Sequence, residues 1–413
     1  MQILFISFSF PPTNSIGSIR SGKTAKYLIE LGNDLDVICH QSLNRDQSAP
    51  LEIEKSKCHR VTTKSFDEFI SSDYYTYPKL KKVQFRIEIA LRHKNYFYLL
   101  PDSSWSWYNR AINIADDLID QKMPDLIFST ALPISSHFIA RKLSKKYKIP
   151  WVAEYRDLWS GDHGQGISYW SSLLKRSIEK WLLKPVKGVV TVSEPLADYF
   201  KSSYDLRTTV VYNGYDFKKK SDVSNEIDTS SLRIVYTGNF YRGYDPSMLF
   251  EAISQLKKQG KNIKVQFYTA QKDLLQIFIN KYELNELIEV HGLVPYQKSI
   301  EIQHKADILL FLSYQDEVYR GKGILSGKVF EYLATGRPIL SIGADSEHLL
   351  IKEKIMKHPN NFNDLLKTLH DWLREKEQNG FLQLLDEEEK RKRYSRLNQT
   401  KKLNSFLALN LLK

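Results

Sequence analysis

The sequence has 413 residues, of which 42% are hydrophobic and 26% are charged, so it is long and apolar enough for two globular domains. No apolar run approaches the roughly 20 residues that a membrane-spanning helix needs. The first ten residues, MQILFISFSF, lack a basic leader and alternate as a β-strand does. Export is therefore not expected, and we predict a cytoplasmic protein.

Two cysteines, Cys39 and Cys58, stand without C-x-x-C spacing. They support neither a disulfide framework nor a zinc site, and they fit a reducing compartment. The net charge of +12 suits nucleic acid, an anionic membrane or a phosphate-bearing substrate. No nucleic-acid-binding module signature appears, so we expect no nucleic-acid partner.

The chain opens with a predicted βαβ unit. The strand at 3–10 is followed by a loop at 11–22, a helix at 23–32 and a strand at 35–40. The loop contains the P-loop pattern G-x-x-x-x-G-K-T at 17–24, which would indicate a nucleotide-dependent kinase or ATPase. However, six residues separate the strand from this pattern, and no strand ending in Asp stands out as a magnesium partner. The alternative interpretation is that Lys23 and Thr24 begin an ordinary helix.

A basic and aromatic segment extends from Lys79 to Trp107. Such a mixture suits an anionic membrane surface, with rings at the headgroup level and ammonium groups towards lipid phosphate. An amphipathic helix with a solvated basic face explains the composition equally well. The residues concerned are Lys79, Lys81, Lys82, Phe85, Arg86, Arg92, His93, Lys94, Tyr96, Phe97, Tyr98, Trp105 and Trp107.

Further along the first half, a helix is predicted at 170–183. Its residues Trp170, Leu174, Ile178 and Trp181 recur at helical spacing, which favours packing in the core or between domains over membrane contact. The polar run at 217–231 is typical of a linker. The second half repeats the α/β pattern of the first.

The most informative stretch is GKGILSGKVFEYLATGRP at 321–338. Its apolar spacing predicts a short buried helix that Ser326 caps and Gly336 ends. The free amides at such a helix start, together with Lys328, attract phosphate. Glu331 lies one turn deeper, about 5 Å along the axis, where a carboxylate can hold a ribose diol. This spacing fits a nucleoside diphosphate, although Lys328 and Glu331 can also be an ordinary surface pair.

The segment GKVFEYLATGRPIL resembles the nucleotide-sugar helix of the family 4 retaining glycosyltransferases with the GT-B fold. The resemblance implies an α/β protein with two Rossmann-like domains facing a cleft. The family places two glutamates eight positions apart; the second matches Glu331 and implies ribose binding, whereas the first falls on Gly323. A branch that reads G-x-x-x-K-x-F-E-Y-L-A also lacks the first glutamate. Gly323, Ser326 and Gly327 are therefore expected donor contacts.

In the N-terminal half, the resemblance places a glycine-bearing loop at the cleft and implies contacts from Gly17, Ser18 and Arg20. An ordinary βα connection is the alternative. The segment at 149–161 resembles the family's P-x-V-x-x-x-R-D-L-W signature, at the carboxyl end of a strand where open sheets bind ligands. There Asp157 would hold an acceptor or sugar hydroxyl, and Arg156 a phosphate or a structural carboxylate. A purely structural Arg–Asp pair that braces the loop is the alternative.

In the C-terminal half, the resemblance implies that the loop at Gly238 and Arg242 contacts the donor pyrophosphate. The family's usual Lys after that Arg is missing, and Lys328 is its expected replacement. Backbone groups near Leu293 and Val294 would read the nucleobase edge. The expected catalytic residues are therefore Asp157, Arg242 and Lys328.

We expect an N-terminal acceptor domain at 1–215, a linker at 216–231, a nucleotide-sugar domain at 232–386 and a basic helix at 387–413 that returns to the N-terminal domain. The implied reaction is retaining transfer from a nucleoside diphosphate sugar, UDP foremost, to a glycan or lipid-linked acceptor in bacterial surface-polysaccharide synthesis. The leaving phosphate takes the acceptor proton, and neither metal nor further cofactor is expected. A non-catalytic nucleotide-sugar-binding assembly protein is the other interpretation.

Overall fold

The computed structural model describes residues 1–42, 46–63, 78, 102, 104–160, 169–216, 231–313, 327–344, 348–385 and 392–411, with the backbone alone at 169–172. The chain divides into two compact units. Unit 1 comprises Met1–Asn213 and Arg396–Lys413, and unit 2 comprises Gly214–Ser395. The predicted domain limits around the linker stay predictions, since residues 217–230 lie outside the described part.

In the described part of unit 1, seven strands form a parallel sheet in the order β3-β2-β1-β4-β5-β6-β7. The strands are β1 (Gln2–Ser7), β2 (Asp34–Gln41), β3 (Cys58–Thr62), β4 (Leu126–Ala131), β5 (Trp151–Tyr155), β6 (Val186–Thr191) and β7 (Thr208–Val210). The helices of the described part are α1 (Ile16–Glu30), α2 (Tyr108–Gln121), α3 (Ser135–Tyr147), α4 (Tyr169–Leu183), α5 (Glu194–Tyr204) and α12 (Arg396–Leu409).

The central strands of unit 1 are apolar along their length because helices cover both faces of the sheet. β1 pairs in register with β4, so that Phe5 lies opposite Phe128 and their rings stack at 5.0 Å. The C-terminal helix α12 belongs to the same core through Leu403 and Leu407. Its Asn404 also accepts a hydrogen bond of 3.0 Å from Asn33, next to the end of α1.

The first helix starts earlier than predicted. α1 begins at Ile16, and the Ser15 hydroxyl accepts a hydrogen bond from the Ser18 amide at 3.1 Å, a typical N-cap. The predicted loop at 11–22 is therefore wrong over its second half. Because the whole G-x-x-x-x-G-K-T pattern lies inside α1, it forms no phosphate-binding loop, and the P-loop interpretation is excluded.

The predicted membrane segment Lys79–Trp107 lies mostly outside the described residues. Within the described part, Trp107 is fully buried and its indole donates a 3.0 Å hydrogen bond to Ser135. Trp107 is therefore a core residue and not part of a membrane surface. Trp105 is half-buried and stacks on Tyr108 at 4.5 Å.

Among the described residues of unit 2, five strands form a parallel sheet in the order β10-β9-β8-β11-β12. The strands are β8 (Leu232–Thr237), β9 (Ile263–Tyr268), β10 (Ile288–His291), β11 (Ile308–Leu312) and β12 (Ile339–Ile342). The helices of the described part are α6 (Ser247–Lys258), α7 (Lys272–Lys281), α8 (Tyr296–Lys305), α9 (Gly327–Thr335), α10 (Leu349–Lys352) and α11 (Phe362–Asn379).

The predicted helix at the centre of the informative stretch is α9. Val329, Phe330 and Leu333 are fully buried, as their spacing predicts, and each contributes about 1.5–3 kcal/mol of hydrophobic stabilisation. Gly336 ends the helix with φ +71°. With two parallel sheets and interleaved helices, the predicted α/β class with two Rossmann-like domains is confirmed. Within the described residues, no helix is both long and apolar enough to span a bilayer.

Candidate functional site

The sheet order of unit 2 creates a topological switch point between β8 and β11. These strands are direct neighbours, with Ile308 paired to Ile234, although the chain visits β9 and β10 between them. Open parallel sheets bind ligands at the carboxyl ends of strands at such a point. The loop at Gly238 follows β8 and the helix α9 follows β11, so both predicted donor segments emerge at this edge.

The structure brings Lys328 and Gly238 into contact, although 90 positions separate them in the sequence. A Cβ atom on Gly238 would lie 2.8 Å from Lys328 Cε and 2.9 Å from Nζ, so a larger residue would displace the lysine. Gly238 also has φ +109°, which disfavours any side chain. Lys328 Nζ lies 4.0 Å from the centre of the Tyr236 ring. The glycine and the tyrosine therefore hold the ammonium group at the end of β8.

Few groups of the protein stabilise the charged form of Lys328 in the described part. Burial lowers the pKa of Lys328 from 10.5 to about 7, while the Glu331 carboxylate acts in the opposite direction. Among the described residues, Lys328 has no ion pair with a carboxylate, and its cation–π contact with Tyr236 supplies only part of the lost hydration. An anion bound beside Nζ would raise the pKa of Lys328 again.

A buried hydrogen-bond network fixes α9 against β8. The Thr237 amide donates to the Tyr332 hydroxyl at 3.1 Å, and Gln303 donates to the Thr237 hydroxyl at 3.0 Å. All three side chains are at least 95% buried. Since Thr237 precedes Gly238 and Tyr332 follows Glu331, the network sets the position of both candidate segments. A cluster of this kind gives a site rigid support.

Glu331 lies one helical turn from Lys328 and is half-buried. The nine-residue helix α9 directs its first amides towards the same end of the sheet as Lys328. A phosphate group near Lys328 and a ribose near Glu331 stay predictions.

Of the other residues predicted to bind the donor, those that the structure describes lie in loops of unit 2 or at the start of α9. Arg242 is exposed in the loop between β8 and α6, whereas Leu293 is 62% exposed and Val294 half-buried between β10 and α8. Gly323 and Ser326 lie outside the described residues. Gly327 is the first residue of α9.

In unit 1, Arg20 makes a saturated buried ion pair. Its guanidinium contacts Glu154 Oε1 at 2.7 Å, and both side chains are at most 5% exposed. Arg20 Nε and Nη2 donate to Glu154, Nη2 also to Val211 O, and Nη1 to Tyr212 O and Asn213 Oδ1. All five N–H groups are thus used. Arg20 stabilises the end of β7 and the following segment, and its N–H groups are already used within the protein.

The Arg156 side chain fills the space beside Gly17. The Arg156 Nη1 atom lies 2.2 Å from the position of a Cβ on Gly17, so a side chain there would collide with the guanidinium. Arg156 Nε donates to Ala131 O at 2.9 Å and Nη2 to Leu132 O at 3.2 Å. The structure therefore brings Gly17 and Arg156 together, and Gly17 lies on a helix and not in the predicted loop.

The structure also describes three other candidates of unit 1, of which one is exposed and two are buried. Asp157 is exposed at the carboxyl end of β5, with no Arg–Asp ion pair to Arg156 in the described part. Ser18 is fully buried, which makes it a poor substrate contact. His137 is also fully buried and its Nδ1 is 2.8 Å from the Ser129 hydroxyl. Burial lowers the pKa of His137 to about 3, so the imidazole is neutral.

Sequence reasoning missed a buried carboxyl group that braces the segment after β5. Glu179 on α4 is fully buried and accepts hydrogen bonds from Ser160 and, at 2.6 Å, from the Tyr204 hydroxyl. Burial raises the pKa of Glu179 above its usual range. A lone acidic residue on the apolar side of a predicted helix was the available signal. Glu154 gave a similar signal within the apolar strand β5.

The described residues contain no cluster of three or more His, Cys, Asp or Glu side chains that could hold a metal ion.

Two family models match consecutive parts of the chain. The model described as Glycosyltransferase Family 4 matches residues 23–219, and the model described as Glycosyl transferases group 1 matches residues 217–401. Together they cover nearly the whole sequence, one on each half. None of the curated proteins matches it.

Several solved structures share the fold over almost the full length. A glycosyltransferase from Rickettsia africae ESF-5 has a TM-score of 0.62 and 15% identity, over 99% of this chain and 98% of that one. The lipopolysaccharide outer core galactosyltransferase WaaB has a TM-score of 0.55 and 10% identity, over 98% of both chains. The UDP co-structure of MnaA from S. aureus has a TM-score of 0.50 and 12% identity, over 100% and 98%. At these identities the likeness shows the fold alone.

Proposed function

This chain belongs to the family 4 glycosyltransferases with the GT-B fold, and we propose that it is a retaining enzyme that uses a nucleoside diphosphate sugar. We assign UDP as the nucleotide and a glycan or lipid-linked molecule as the acceptor. The fold shared with a protein bound to UDP and with a lipopolysaccharide galactosyltransferase favours this choice and a role in bacterial surface-polysaccharide synthesis.

The contact of Lys328 with Gly238 and Tyr236 is the observation that carries the proposal. It places a half-buried ammonium group, which lacks a carboxylate partner in the described part, at the switch point of the unit 2 sheet. A diphosphate at the start of α9 would gain the Lys328 charge and the α9 amides at once. Such stabilisation of the leaving group is the main electrostatic requirement of sugar transfer.

In the proposed reaction, the bond between the sugar C1 and the diphosphate oxygen breaks while the acceptor oxygen bonds to C1 on the same face. The acceptor proton passes to the leaving phosphate. Lys328 and the start of α9 stabilise the negative charge of the released diphosphate, and Arg242 approaches it from the loop after β8. Glu331 holds the ribose, and Asp157 orients a hydroxyl of the acceptor or sugar.

The experiment is to incubate the protein with a panel of UDP-sugars, first with water and then with candidate glycan acceptors. Release of UDP and the anomeric configuration of the product are followed by NMR. We expect UDP release in the wild-type protein, a product that retains the donor configuration, and loss of release in Lys328→Met. Binding of a nucleotide sugar with no hydrolysis or transfer would instead indicate a non-catalytic assembly protein. A product of inverted configuration would contradict the retaining mechanism.

A further inference from the structure

The outer face of α4 in unit 1 exposes large apolar side chains. Leu173 is 37% exposed, Leu174 53% and Trp181 52%. The helical spacing favoured packing of Leu174 and Trp181 in the core or between domains, yet about half of each side chain is exposed. The helix instead packs through Leu182 and Leu183, which join the core. An exposed tryptophan and two exposed leucines on one helix indicate an interaction surface.

The same face is uniformly positive. Three exposed cations lie along it or directly beyond its end: Arg176, Lys180 and Lys184. Between Leu173 and Lys184 the only carboxylate is that of Glu179, and it points inward to Ser160 and Tyr204. The exposed part of this segment therefore carries positive charge that no acid of the segment offsets. We call Leu173, Leu174, Arg176, Lys180, Trp181 and Lys184 the α4 face.

Trp181 is held in its exposed position by the neighbouring helix α3. The Arg141 guanidinium lies 3.8 Å from the centre of the Trp181 ring, and the Phe138 ring lies 6.1 Å away. Arg141 is itself only 7% exposed, so this contact is a packed feature of the fold. The stacked arginine restricts the indole before any partner arrives, which reduces the entropy cost of binding.

We propose that the α4 face docks on the surface of an anionic phospholipid bilayer. Tryptophan and leucine enter the headgroup region of a membrane, while lysine and arginine beside them approach lipid phosphate. Nucleic acid would use the cations but leave the exposed leucines without a role. A second copy in a two-fold dimer would place the α4 cations of one chain against those of the other, which is repulsive.

Binding of this kind is reversible and depends on salt. Each lysine or arginine near an anionic surface strengthens binding about fivefold, so removal of three weakens it roughly a hundredfold at low ionic strength. The effect falls off over a Debye length of about 8 Å at physiological salt. The inference concerns attachment alone and does not depend on the reaction that the protein catalyses.

The test measures binding of the full-length protein to phosphatidylglycerol–phosphatidylcholine vesicles by co-sedimentation. One variant combines Arg176→Gln, Lys180→Gln and Lys184→Gln, and another combines Leu173→Gln and Leu174→Gln. The matched controls change exposed residues of unit 2: Lys258→Gln, Lys272→Gln and Lys305→Gln together for charge, and Ile277→Gln, at a site 66% exposed, for the apolar pair. Circular dichroism confirms that each variant is folded.

We expect the wild-type protein to bind these vesicles at low salt and to bind pure phosphatidylcholine poorly. The α4 charge variant should bind roughly a hundredfold more weakly, the leucine variant should also lose binding, and both controls should retain it. The proposal is overturned if the wild-type protein does not bind anionic vesicles. It is also overturned if the α4 variants lose no more binding than the controls. Conversion of a dimer to a monomer in the leucine variant, with vesicle binding unchanged, would assign the face to a second copy instead.

Discussion

Arg20 in unit 1 is buried and Lys328 in unit 2 is half-buried, and both cations lie near the carboxyl edge of a parallel sheet. The surroundings of the two cations differ. Arg20 donates all five N–H groups to Glu154 and to the segment that follows β7. Lys328 lies over an aromatic ring beside a glycine, and burial lowers its pKa to about 7. A saturated cation stabilises the fold, whereas a half-buried and unsaturated one is prepared for an anionic ligand.

The largest predicted effect is the loss of stability when the ion pair between Arg20 and Glu154 is broken. Arg20→Ala leaves the Glu154 carboxylate buried without its partner, which costs about 3–5 kcal/mol of unfolding free energy. Urea denaturation of the variant measures this loss. Lys23→Ala, which removes a partly exposed partner of Glu52, is the control and should cost less than about 1 kcal/mol.

A double variant sharpens the assignment of Arg20. Arg20→Met combined with Glu154→Met removes both charges and should be more stable than Arg20→Ala alone. If Arg20→Ala instead kept its stability and lost nucleotide-sugar binding, Arg20 would be a ligand contact and the contrast with Lys328 would fail.

The second effect concerns the ribose. Glu331→Gln removes a charge-assisted hydrogen-bond acceptor and should weaken UDP binding by about 1.5–3 kcal/mol. Calorimetric titration measures it, and Glu301→Gln on α8, an exposed site of unit 2, is a matched control. Unchanged affinity in a folded Glu331→Gln protein would remove the ribose role from this residue.

The third prediction concerns the pH dependence of UDP binding at Lys328. Lys328 is protonated below its pKa of about 7, and an anion binds the protonated form better. UDP affinity should therefore fall as the pH rises from 7.5 to 9 by up to about tenfold per unit. In this range the terminal phosphate, with a pKa of about 6, is already ionised.

Lys328→Arg provides the control for this profile, because arginine does not titrate in that range. Its UDP affinity should be nearly constant between the same pH values. A slope as steep as that of the wild-type protein would mean that another group titrates.

The smallest effect is expected at the P-loop pattern. Lys23 lies on α1 and pairs with Glu52 at 2.5 Å. Lys23→Ala should therefore change UDP-sugar affinity by no more than about twofold. Tight, magnesium-dependent ATP binding that this variant loses would overturn the assignment of the donor site to unit 2.

Local patterns predicted part of this molecule. The burial of Val329, Phe330 and Leu333 followed from helical spacing, because a short helix with one apolar face must pack that face on a sheet. The α1 region was mispredicted because Gly17 and Gly22 were interpreted as loop residues. They are helical, and the space at each is filled by another side chain: Arg156 at Gly17 and Pro11 at Gly22.

The candidate site itself depends on contacts that no local pattern contains. The pairing of β8 with β11 places Gly238 beside Lys328, and the sequence offers no spacing that links two residues so far apart. Likewise, the partner of Arg20 was hidden in an apolar strand, since Glu154 is a buried charge whose orientation only the fold defines. Residue types suggested the chemistry, and topology decides which of them act together.

The central claim is that Lys328 belongs to a site for a nucleoside diphosphate. The most direct measurement is calorimetric titration of UDP into Lys328→Met, with Lys258→Met on α6 as a control at an exposed lysine of the same unit. We predict that Lys328→Met loses at least about tenfold in affinity, the effect of one charge-assisted hydrogen bond, while its thermal stability and the affinity of the control stay close to those of the wild-type protein. Equal UDP affinity in the two variants would contradict the claim.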